Sequence, residues 1–261
     1  MNEQMSHASI FKDYIVPAFA ILGATQLWFV ALWRRFFRQL EVDIRPTNIV
    51  EIGYSMFGPT VGFFGTLVAV NRNAYVDHIA LVVRRNLDGA QHQFDWVAFR
   101  SNQFVFGGTS QGVTAELPSG FMIAPTQPHR YNILFSDRQR WQEMRGHMIH
   151  ITQEWTSLHQ SVSTTVGAPN TAQLFNTLVT GGSITSSWST LNRLCYWESG
   201  AYSLEITVQT LRPDRHFTLR QQFSITEEDA ERLRTNALVI TAELCGQPGA
   251  VYNFAYGTLS Q

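Results

Sequence analysis

The chain has 261 residues, of which 44% are hydrophobic and only 15% charged, so it can bury a core and is not a disordered tail. A net charge of −1, with acids and bases interspersed, excludes the cationic stripe that a nucleic-acid surface needs. Two cysteines exclude a disulfide scaffold and an all-cysteine zinc site.

The first element is residues 14–33, YIVPAFAILGATQLWFVALW, which carry no charge. At a rise of about 1.5 Å per residue this helix covers about 30 Å, the hydrocarbon thickness of a bilayer. Tyr14 stands at one end and Trp28 and Trp33 near the other, where amphipathic rings prefer the headgroup level. The basic segment 34–40 follows, with Arg34, Arg35 and Arg38 placed to reach lipid phosphates. Since the positive excess lies on the C-terminal side, residues 1–13 are expected outside and the bulk of the chain in the cytoplasm. The expectation is a single-pass protein of the cell inner membrane. Inside the span, Ala20 and Ala24 make a small-x-x-x-small pair with Gly23 beside them, and Gln26 is the one strongly polar side chain. Small faces let helices approach closely in lipid, so these residues predict a homo-oligomer.

From residue 41 to 261 the dominant period is two, the mark of half-buried strands. Residues 49–56 and 61–70 form the first two strands, rich in β-branched and aromatic side chains. Ile79, Leu81 and Val83 then alternate with polar neighbours. A turn at 86–89, ending in Asp88 and Gly89, reverses the chain into Phe94, Trp96 and Ala98.

Next comes Gly108, Thr109, Ser110, Gln111 and Gly112, a match to the G-x-S-x-G serine-nucleophile pattern. That motif requires a helix immediately afterwards. Here Val113, Thr114 and an early Pro118 follow, so catalysis through Ser110 is the lesser reading.

A long helix is predicted over 137–160, where Trp141, Met144, Met148, Ile151, Trp155 and Leu158 recur at spacings of three and four. Its apolar face should lie against a sheet or a partner, and Trp141, Met148 and Trp155 are candidate docking residues. Beside that face Glu143, His147, His150 and Glu154 form a second stripe, which could bind a metal but equally makes a solvated surface. The polar stretch 161–192 holds a short helix around Leu174, Phe175 and Leu178, a second candidate contact. Residues 137–192 therefore read as a helical and loop insertion.

Strands resume at Leu204, Ile206 and Val208, turn through 211–215, and return at Phe217, Leu219 and Phe223. Thr226 followed by Glu227, Glu228 and Asp229 starts a helix, expected to end near Arg234, with Leu238, Val239 and Ile240 as a last strand.

Strand following strand without a βα alternation points to a mainly β fold: an immunoglobulin-like antiparallel β-sandwich carrying the insertion. No phosphate loop or zinc spacing occurs, and no cofactor is expected. The functional expectation is a membrane-anchored, non-enzymatic adaptor or assembly subunit with a cytoplasmic protein partner. A membrane-associated effector or sensor is the alternative.

Overall fold

The computed structural model describes residues 26, 28–33, 39–102, 113–125, 127–166 and 170–260. The strands are β1 (Glu41–Ser55), β2 (Gly58–Val70), β3 (Ala74–Arg85), β4 (Gln91–Asn102), β5 (Val113–Glu116), β6 (Phe121–Ile123), β7 (His129–Ser136), β8 (Gly200–Leu211), β9 (Arg215–Ile225) and β10 (Phe254–Thr258). Apart from the helical residues at 26 and 28–33, the helices of the described residues are α1 (Arg138–Val166), α2 (Thr171–Thr180), α3 (Thr185–Leu194) and α4 (Glu227–Leu244).

Period two becomes burial in the strands. Tyr202, Leu204, Ile206 and Val208 of β8 are buried, whereas Glu205 faces out and accepts a 2.7 Å hydrogen bond from Arg220 opposite it on β9. The β3–β4 hairpin forms where Asp88 and Gly89 were expected to turn the chain. Gly89 adopts φ 72°, a left-handed conformation that costs glycine little, and Arg85 clamps the turn through Asp88 and Glu198.

Among the described residues all strands are antiparallel members of one ten-stranded sheet in the order β10-β1-β2-β7-β4-β3-β8-β9, with β5 on β4 and β6 on β3. The two ends of this path meet. Gln222 N–H donates to Ser260 O at 2.8 Å, and Ser260 N–H returns to Gln222 O at 2.9 Å. The architecture is thus a nearly closed barrel rather than the expected pair of facing sheets. A sandwich and a barrel share the same alternation; what separates them here is the pairing of the C-terminal strand with β1 and of Ser260 with β9.

The helices form a cap over one end of the barrel. Tyr54 Oη, near the end of β1, donates to Leu191 O of α3, and Trp197 Nε1 donates to Gly53 O at 2.9 Å. On α1, Met144 and Ile151 are buried, with Met148, Trp155 and Leu158 packed against the same core. Two expectations are corrected. The stretch after Gln160 is mostly helical: α1 continues to Val166, and α2 and α3 follow. Residues 238–240 are not a strand, because α4 runs through to Leu244. Leu233, Ala237 and Ile240 are buried one helical turn apart, so tertiary packing overrides the β propensity of Val239 and Ile240.

Gln26 and residues 28–33 are helical. The rest of the expected span, with Tyr14, Ala20, Gly23 and Ala24, and the basic residues Arg34, Arg35 and Arg38, lie outside the described residues. Among the described residues no helix is long and apolar enough to cross a membrane.

Candidate functional site

Two of the concave features at the helical cap bear on function. The first is a polar cleft of about 520 Å³ where β4 begins and α1 starts, lined by His92, Asp95, Asp137, Arg138, Arg140 and neighbouring glutamines. Asp137 organises it. As the residue before α1, its carboxylate accepts the Arg140 N–H at 3.0 Å, while its other oxygen accepts Tyr196 Oη at 3.0 Å and lies 3.6 Å from His92 Nδ1. The His92 and Tyr196 rings stack face to face with centroids 3.6 Å apart. Burial raises the Asp137 pKa, but the contacts with His92, the Arg140 N–H and Tyr196 outweigh it and hold the carboxyl below its ordinary range. Burial, together with the carboxylate beside it, pushes the Tyr196 phenol well up. Among the described residues no serine, threonine or cysteine lines the cleft. Its chemistry is that of a hydrogen-bonding surface of carboxylates, guanidinium groups, amides and one imidazole.

Replacing Asp137 with Ala removes one helix cap and the partner of a half-buried phenol, for an expected loss of about 1–3 kcal/mol near neutral pH. Because the folded pKa is depressed, this contribution is complete above about pH 3.9, the unfolded value, and is lost as pH falls through the folded one. Melting curves of parent and variant should therefore converge in acid; a constant gap would assign the loss to packing alone.

The second feature is an apolar groove of about 370 Å³ between the β1–β2 turn, α1 and the end of α4, formed by Met56, Phe57, Met148, Ile149 and Leu244. Met148 is the one predicted docking residue that reaches it. Trp141 lies over the β1–β2 turn, where its backbone N is 3.3 Å from the position a Cβ on Gly58 would take. Trp155 and Phe175 are half-buried against the core, and Leu174 and Leu178 are buried. These side chains thus pack within the cap. Met56, Phe57 and Leu244 escaped the sequence reading, although a phenylalanine at a hairpin tip is a readable sign of a contact surface.

The His147 and His150 rings converge on one hydroxyl, Ser187 Oγ of α3, at 3.3 and 3.0 Å. Glu143 instead pairs with Arg140 at 2.8 Å, and Glu154 lies 3.9 Å from His150. The stripe fastens α1 to α3, and among the described residues no group of three or more potential metal ligands gathers. Ser110 lies outside the described residues. No family model, curated protein or solved structure matches the chain.

Proposed function

We propose that this chain is a membrane-tethered, non-enzymatic binding subunit, held by residues 14–33 with its barrel on the cytoplasmic side of an inner membrane. The observation that carries this reading is the helix at 28–33, where Trp28 is 73% exposed, Phe29 67% and Trp33 54%, with Val30 and Leu32 also exposed. Burying one such side chain is worth roughly 1.5–3 kcal/mol, so consecutive exposure in water is costly and lipid is the solvent that fits. The Arg34, Arg35 and Arg38 collar supports the orientation, and the Ala20, Gly23 and Ala24 face supports self-association in the bilayer. The apolar groove at Phe57 and Ile149 lies on the cap and suits a protein partner.

Expressed full length, the chain should sediment with membranes and resist alkaline extraction. Val30→Arg with Leu32→Arg should release it; a parent chain that stays in the supernatant without detergent overturns the reading. The polar cleft at His92 and Asp137 favours a second reading, a sensor whose cap binds a hydrogen-bonding small ligand and whose clustered tethers transmit the event. Ala20→Leu with Ala24→Leu should then abolish oligomers and response together, and intact oligomers would remove the packing claim.

A further inference from the structure

The barrel end opposite the helical cap is where the chain arrives from its N-terminal helix. Gln39 is fixed there by two hydrogen bonds: its carbonyl accepts from Asn71 Nδ2 at 2.9 Å, and its Oε1 accepts from Arg215 Nη1 at 3.0 Å. Asn71 belongs to the β2–β3 connection and Arg215 opens β9, so both mark the same rim.

That rim carries an apolar row. Tyr75 of β3 pairs with Met122 of β6 on one side and with Leu211 of β8 on the other, which places the three side chains next to one another. They are exposed by 36%, 57% and 40%. Toward the cap the row does not continue, since the outward positions of β8 are Gln209, Thr207 and Glu205. Scattered apolar residues are ordinary on protein surfaces; three in register at one edge are a patch.

We infer that this rim is itself a bilayer-contact surface, with Tyr75, Met122 and Leu211 seated at the boundary between headgroups and acyl chains. The inference rests on the tethering reading above. From Trp33 to Gln39 the chain is six residues long and can reach at most about 20 Å, so a helix ending at the interface keeps the rim beside it. Arg72, Arg212 and Arg215 at the rim are matched in number by Glu41, Asp77 and Asp214, which leaves apolar insertion rather than net charge as the attraction. A second copy of the chain is a poorer occupant, because three side chains fall far short of the roughly 1,000 Å² that a specific dimer buries.

The test uses the full chain in nanodiscs loaded with one copy each. Met122→Cys, Leu211→Cys and, on the cap, Glu228→Cys are labelled with an environment-sensitive fluorophore. Native Cys195 and Cys245 are buried, and burial pushes their thiols up to about 12 and about 11, so labelling goes to the introduced cysteine. Seated in the bilayer, the fluorophore at 122 and 211 should emit at shorter wavelength and be quenched by lipids spin-labelled near the headgroup, whereas the one at 228 should show neither change. Adding Tyr75→Asp should lessen the quenching at 122. Flotation of the same variants with vesicles separates the two ideas. Chains that float with an unquenched rim overturn this inference and leave the tether standing, whereas chains that fail to float overturn the tether.

Discussion

Arg100→Met will destabilise the fold by about 3–5 kcal/mol, and adding Glu51→Leu will return most of that loss. Arg100 stands on the outer face of β4, yet its guanidinium is largely enclosed. Nη1 donates to Glu51 Oε1 at 2.6 Å, Nε donates to Asn132 Oδ1 at 3.2 Å, and the Phe64 ring centroid lies 5.5 Å from Cζ. The ion-paired side chains are only 14% and 10% exposed. Removing the cation alone leaves a carboxylate with little water and no counter-charge, the costly half of a buried pair. Removing both charges leaves two apolar side chains of suitable size, which is often neutral. Nη2 is buried without a hydrogen-bond partner, so the pair is satisfied only in part and its replacement sacrifices less. Gly62 belongs to the same device: a Cβ there would fall 2.3 Å from Nη2 and 3.0 Å from Glu51 Oε1. Gly62→Ala should lift the guanidinium off the strand and cost about 1–3 kcal/mol as an overpacking change. Denaturant unfolding in detergent measures all four proteins. A single Arg100→Met loss below about 1 kcal/mol would show that the pair behaves as a surface salt bridge.

This pair could not have been read from the chain, because Glu51 and Arg100 meet only through the barrel order β1-β2-β7-β4. The same holds for the cleft. His92, Asp137 and Tyr196 lie 45 and 59 residues apart, and none belongs to a recognisable spacing. What was legible was local: the Asp88-Gly89 turn, the alternation at 204–208, and the apolar stripe of α1. Those features depend on dihedral preference and on the period of burial, both carried by neighbours in sequence. Barrel closure depends on which distant strands pair, and alternation is silent on that. At 238–240 the local signal pointed the wrong way. A β-branched run suggested strand, although Leu233, Ala237 and Ile240 already carried a helical spacing.

That misread helix holds the second large effect. Asn236 on α4 is fully buried, and its amide makes three hydrogen bonds. Nδ2 donates to Tyr54 O at 2.9 Å and to Asn253 O at 2.8 Å, while Oδ1 accepts the Asn253 N–H at 2.9 Å. One side chain therefore ties α4 to the end of β1 and to the segment that leads into β10. Asn236→Leu keeps the approximate volume and leaves two carbonyls and one N–H without their partner, the Tyr54 carbonyl in a buried site and the two Asn253 groups in a part-buried one. With about 1–3 kcal/mol for a fully buried unpaired group and less for the other two, the expected loss is about 2–4 kcal/mol. Asn236→Asp should do no better, since it retains the acceptor but discards both donors and adds a buried charge. Thermal unfolding reads the total, and amide exchange at Asn253 reads the local part, which should speed up even under conditions where the barrel stays folded. If Asn236→Leu melts within about 1 kcal/mol of the parent, the cap is held by Leu233, Ala237 and Ile240 alone, and its polar anchor is dispensable.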